Sequence, residues 1–289
     1  EFTQALDGTT PYSVIYLAHL PGDPAAVFDL PNCSTANTSI DLRVDVRAVA
    51  YAPSGSFGGT IAFQWAAVQG GTVYLSLNPG FWTTGSGFAW LTHQDQGMAL
   101  SLFIDPLTGA SPDFANGPIS FGVASANSCW GPSGCGMPLS ATGRIDSFCV
   151  SIRVAPTVGP LGPGCSGALG VPGNSATQAR ICQPFSDTFT NLPGGAGIFV
   201  AGTSSTTSAL GPLPFDLGNL GAPNCFLRVS TDSVLFVLAA GGTATVGFPI
   251  PCGHLFLGMQ FFTQCAALDP SANALGLVTS DAAAVAVGN

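Results

Sequence analysis

The chain has 289 residues, 46% of them apolar and only 7% charged, with a net charge of −9. That length suits one large domain or two ordinary ones, and the apolar share is ample for a core. It holds no lysine, and its six basic residues are all arginine, which excludes the cationic face that a nucleic-acid backbone or an anionic lipid surface requires.

Glycine (38) and proline (23) interleave with 20 Phe and many β-branched residues, the texture of short strands joined by tight turns and not of disorder. The first ten residues read as an arm or first edge. Residues 12–20 (YSVIYLAHL) read as a strand too apolar to be half-buried. Residues 40–50 show the clearest alternation, with Ile40, Leu42, Val44, Val46 and Ala48 on one face and Asp41, Arg43, Asp45 and Arg47 on the other. That is a strand with one wet face, in an antiparallel sheet, and its charges suit cross-strand pairs. Segments 60–68, 72–77, 88–92, 99–104 and 119–123 continue the rhythm, and 145–154 (IDSFCVSIRV) closes a first domain, 1–155.

Residues 156–163 (PTVGPLGP) then read as a stiff Pro/Gly linker. The second domain, 164–289, offers short strands at 185–192, 198–202, 213–217, 225–230, 234–239, 243–250, 254–262, 275–279 and 283–287. No stretch shows a capped helical period. The expected fold class is all-β: two antiparallel β-sandwich domains, immunoglobulin-like or jelly-roll-like, joined by the linker.

Nine cysteines without a CxxC pair predict disulfides and an oxidising compartment. The expected bridges are Cys129–Cys135 across a Gly/Pro loop, Cys33–Cys149, Cys165–Cys182, and Cys225 with Cys252 or Cys265. One cysteine is left over, either a buried thiol or a link between subunits. No run of about 18 apolar residues forms a membrane span. The opening EFTQALDGTT shows no signal-peptide pattern, as expected of a mature protein freed of its leader.

Catalytic signals are absent. The three histidines are His19, His93 and His254; only His93 lies near an acid, Asp95, and no GxSxG elbow occurs. No catalytic residue and no cofactor are therefore expected. Asp105 to Asp113, and Asp41 with Asp45, supply oxygens of the kind a loop calcium ion uses, without EF-hand spacing. Trp82 and Trp130, near Gly-rich turns, are the candidates for a glycan platform, with Trp90 nearby. Asn32 and Asn37 fit the N-glycosylation pattern, and 203–208 is Ser/Thr-rich.

Residues 164–289 resemble a C-terminal domain of secreted proteins of planctomycetes and related bacteria. The matching elements are GCSG at 164–167, LPFDLG at 213–218, GAPNC at 221–225, PIP at 249–251, GMQFFTQ at 258–264 and LDP at 268–270. The resemblance implies a secreted β domain and assigns it no activity. With few charges, many bridges and many potential open strand edges, the expected function is a secreted structural subunit of a filament, sheath or surface layer. Its partners would be copies of itself, joined by strand addition through Tyr12, Val14, Ile15, Tyr16 and Leu17 of the N-terminal arm. The alternative is an adhesin or carbohydrate-binding module; a secreted hydrolase comes last.

Overall fold

The computed structural model describes residues 2–6, 14–19, 27–33, 35–52, 61–77, 82–83, 89–128 and 139–289. It is all-β, 57% strand with no helix of seven or more residues among the described residues, and the sheets are antiparallel. The chain divides into two compact units, Glu1–Arg153 and Val154–Asn289.

In the first unit the strands are β1 (Phe2–Leu6), β2 (Val14–His19), β3 (Val27–Phe28), β4 (Thr38–Ala52), β5 (Ala62–Gln69) and β6 (Thr72–Ser76). They are followed by β7 (Trp82–Thr83), β8 (Leu91–Ala99), β9 (Phe103–Ile104), β10 (Ile119–Ser128) and β11 (Leu139–Val154). One sheet has the order β1-β11-β4-β8, the other β2-β10-β5-β6-β9, with β3 beside β10 and β7 beside β5. The alternation of β4 is realised as read: Ile40, Leu42, Val44, Val46 and Ala48 are buried, while Arg43 is exposed. Asp41 pairs with Arg153 of β11 at 2.5 Å, a cross-strand ion pair of the kind the wet face suggested. Trp65 of β5 packs edge-on against Phe148 of β11, so the two sheets face each other.

The second unit opens with β12 (Thr157–Gly162), β13 (Gly173–Ala176), β14 (Pro184–Thr190), β15 (Ala196–Gly202), β16 (Thr207–Ser208) and β17 (Gly211–Pro212). It continues with β18 (Phe215–Asp216), β19 (Phe226–Leu227), β20 (Ser233–Leu238), β21 (Ala244–Pro249), β22 (Gln260–Leu268), β23 (Leu277–Thr279) and β24 (Ala282–Ala286). A larger sheet runs β12-β24-β22-β15-β20 with β23 beside β22; a smaller one runs β13-β14-β21. Their inner faces meet in two cores. Phe189 and Val246 of the small sheet pack with Phe199, Val237 and Cys265 of the large one. Phe185 packs with Phe261 and Val285. On the outer face of the large sheet, Val229 covers Val200, Phe262 and Ala282.

One expectation is corrected here. The Pro/Gly run 156–163 is not a spacer: residues 157–162 form β12, paired in register with β24 at the end of the chain. Proline is tolerated because β12 is an edge strand and the register shifts at Pro160, where no inward N–H is needed. The N-terminal segment, read as an arm or first edge, supplies edges: β1 ends one sheet and β2 the other. β1 pairs with β11, and Val14, Ile15, Tyr16 and Leu17 lie in β2, paired with β10 of their own chain. Tyr12 lies outside the described residues. Smaller shifts occur where strands were read through turns: 99–104 breaks at a 3-10 turn over Leu100–Leu102, and 254–262 begins with one over His254–Phe256.

Close strand approaches show where a side chain cannot be added. A Cβ on Gly202 would run into the backbone carbonyl of Ser230, whereas one on Gly159 would meet nothing. Gly202→Ala is therefore expected to destabilise the protein by about 1–3 kcal/mol, and Gly159→Ala to be neutral or slightly stabilising. Differential scanning calorimetry of the two variants beside the wild type checks the contrast.

Candidate functional site

The cysteines pair by strand adjacency and not by nearness in sequence. Cys165 bridges Cys225, and Cys182 bridges Cys252. This corrects the expected Cys165–Cys182 bridge and the partner expected for Cys225. Cys182 immediately precedes β14 and Cys252 follows β21; these strands pair through Pro184 and Pro249, which brings the two cysteines together. Cys265 is a free, buried thiol. Cys33 and Cys149 are both free, so that expected bridge is also corrected: Cys33 is buried, while Cys149 stands with Ser151 and Arg153 on the exposed row of β11. Cys129 and Cys135 lie outside the described residues. Burial pushes the Cys33 thiol up to about 11 and that of Cys265 up to about 12, the latter helped by the charge of Asp187.

In the first unit an aromatic cluster surrounds a His–Asp pair, His93 with Asp95. Trp65 is fully buried, and its indole N–H donates to Asp95 Oδ2 at 2.6 Å. The same oxygen lies 2.7 Å from His93 Nε2. Trp82, from β7, stacks its ring on His93 with centroids 4.0 Å apart and 11° between planes, and tilts against Trp65 at 4.8 Å. The glycan candidate Trp82 thus gives a ring face to His93, and its buried Nε1 has no acceptor. Trp90 is exposed, with the Arg47 guanidinium 4.7 Å from its ring centre. Trp130 lies outside the described residues.

The carboxylates offered to calcium are engaged locally. Asp105 accepts from the Thr108 hydroxyl at 2.6 Å and the Leu107 N–H at 2.9 Å, which hold its carboxyl below the usual range. Asp113 accepts from the Ala115 N–H and so caps a short turn. Asp45 accepts from the Thr92 hydroxyl, and Asp41 from the Gly97 N–H.

The second unit hides a titratable group that the sequence reading passed over. Asp187 of β14 is fully buried on the inner face, opposite Ala176 and Val246. Neither of its oxygens meets a donor in hydrogen-bonding geometry. Burial pushes its carboxyl up to about 6; the neighbouring Thr263 hydroxyl and Thr188 N–H keep it from rising further. Asn174 of β13 donates to the Thr263 carbonyl and hydroxyl oxygens at 3.2 Å, leaving its own buried Oδ1 unpaired. A groove of about 550 Å³ runs past Asn174 between β12 and β13, floored by Ala176 and Ala283.

The largest surface anomaly is β20, with the sequence Ser-Val-Leu-Phe-Val-Leu. It is the last strand of the large sheet and pairs only with β15. Val234 is 57% exposed, Leu235 51%, Phe236 59% and Leu238 77%; only Val237 turns into the core. The strand carries no charge. The other sheet ends of this unit are guarded: β12 by Pro160 and a bulge, β21 by Pro249, and β13 by its length of four residues. Sequence reading placed a strand at 234–239 but not at an edge, because edge position is set by long-range topology.

Comparison with known proteins yields no match, neither to a family model nor to a curated protein.

Two predictions follow from the buried groups. The Asp187 carboxyl is raised in the folded state above the unfolded 3.8, so its protonated form favours folding. That stabilisation is complete below pH 3.8, falls as the pH rises through about 6, and is absent above. Asp187→Asn is expected to stabilise the protein above pH 6 by up to about 3 kcal/mol, with the difference from wild type vanishing near pH 3.5; urea denaturation across pH checks it. Secondly, iodoacetamide applied to the native protein is expected to label Cys149 and to spare Cys33 and Cys265 until denaturant is added, as read by peptide mass mapping.

Proposed function

We propose that this protein is a secreted structural subunit that associates with copies of itself by adding strand to strand at open sheet edges, as part of an extracellular assembly. The observation that carries the reading is β20: a six-residue edge strand, uncharged and largely apolar, whose only sheet neighbour among the described residues is β15. Exposed edges of this kind template pairing with another chain, and soluble proteins normally blunt them with charge, proline or bulges. The neighbouring ends of the same sandwich carry such guards.

The rest of the chain supports this reading. Two disulfides are consistent with an extracellular protein, and among the described residues no helix is long and apolar enough to cross a membrane. With 7% of residues charged, electrostatic repulsion between copies is weak. β2, which carries Val14, Ile15, Tyr16 and Leu17, also ends its sheet. Exposed apolar side chains single out β20 among the edges whose side chains are described.

Sedimentation velocity over a range of concentrations, with electron microscopy of the same samples, tests the proposal. The wild type is expected to run larger than a monomer. Phe236→Lys is expected to weaken association at least about tenfold while leaving the thermal midpoint unchanged. A wild type that stays monomeric at every concentration would overturn the proposal.

A further inference from the structure

Resting on that self-association, we infer that β20 pairs antiparallel with β20 of a second copy, about a two-fold axis through Phe236. The backbone sets the register. Ala239 N–H donates to Gly195 O at 2.7 Å, and the ladder continues through Gly197 opposite Val237, Phe199 opposite Leu235 and Ala201 opposite Ser233. Hydrogen-bonded pairs alternate in an antiparallel ladder, so the odd-numbered residues of β20 point their N–H and C=O groups at β15. Those of Val234, Phe236 and Leu238 therefore face the open edge.

A two-fold axis perpendicular to the sheet keeps inner face with inner face, so opposite residues must point the same way. Among such registers, the one centred on Phe236 sets the three free-edge residues against one another. Phe236 meets Phe236 of the second copy, and Val234 meets its Leu238, each pair exchanging both N–H···O bonds. Centring on Leu235 would put Leu238 opposite Asp232; centring on Val237 would put Val234 opposite Ala240.

The side chains are complementary in the same register. Val-Leu-Phe-Val-Leu places one Val against one Leu on either side of the central Phe. On the outer face Val234 faces Leu238; on the inner face Leu235, half exposed in one copy, faces Val237. Large against small at each step lets the rows interdigitate. Charge does not oppose the contact. Asp232, the nearest acid, is turned to Thr203 and Ser230, from which it accepts at 2.7, 2.8 and 3.0 Å. In the pairing it falls opposite Ala240 of the second copy and not beside a like charge. An uncharged edge that complements itself in both backbone and side chains fits a second copy of this chain better than an unlike strand.

The test uses the full chain in a Cys149→Ser background, which removes the one free thiol exposed among the described residues. Phe236→Cys, Val234→Cys and Leu238→Cys are oxidised gently and run without reductant, beside the parent. Directly opposite residues lie about 5.5 Å apart between Cα atoms, within disulfide range. Phe236→Cys is expected to cross-link to itself. Val234→Cys and Leu238→Cys are each expected to stay uncross-linked alone and to cross-link when mixed. Self-cross-linking of Val234→Cys or Leu238→Cys would overturn the register. A wild type that dimerises in sedimentation while Phe236→Cys fails to cross-link would overturn the two-fold pairing and leave self-association standing. A wild type that is monomeric throughout would overturn both.

Discussion

The hydrogen-bonding demand of the sheet edges governs this structure. A strand interior satisfies its backbone through two neighbours, an edge through one, and the remaining N–H and C=O groups need water, a covering segment or another strand. In the second unit the chain's own end answers part of that demand. β24 lies between β12 and β22, and beyond it the Asn289 N–H donates to the Val154 carbonyl oxygen while the Val154 N–H donates to the Asn289 side-chain oxygen. That closure turns a run of prolines and glycines into a strand. On the opposite side of the same sheet no such closure exists, and β20 is left with an open edge and an apolar face.

The low charge content makes this edge more consequential. Lysine is the commonest guard of an exposed strand, and the chain has none. Its few acids are used mostly to fix turns and strand ends: Asp105 and Asp113 within one loop, Asp232 at the start of β20, and Asp269 holding Ser271 and Ala168. The sparse charge lowers the electrostatic cost of bringing two copies together.

Much of the fold could be read in the sequence wherever a local rule governs it. The period-two pattern of β4 predicted its buried row residue by residue, because a strand with one wet face records its environment in its own side chains. What the sequence hid depends on which strands become neighbours. The disulfide partners Cys182 and Cys252 are 70 residues apart and meet only because β14 and β21 pair. The segment 156–163 looked like a linker because proline disfavours strands, until its edge position removed the objection. β20 was legible as a strand, yet nothing within six residues says that its far side is empty. Trp82 looked like a surface platform from its turn-rich setting, whereas His93 and Trp65, from other strands, occupy its surroundings.

Asp187 shows a different compromise. A carboxyl at the centre of a sandwich, without a well-placed donor, lowers stability at neutral pH, and an apolar residue would avoid that. What it provides is alignment. The inner face of β14 presents Phe185, Asp187 and Phe189, and the inner face of β22 presents Phe261, Thr263 and Cys265. With Asp187 against Thr263, aromatic rings on either side fall into separate cores. A slip of one residue in β14 would turn Asp187 outward and bring Thr188 and Ser186 into those cores, unfilling both. A slip of two would set the carboxyl against phenylalanine. The polar pair therefore selects one stacking of the two sheets from alternatives of similar apolar content. Because β20 belongs to one of those sheets, the same selection fixes the direction in which its open edge points.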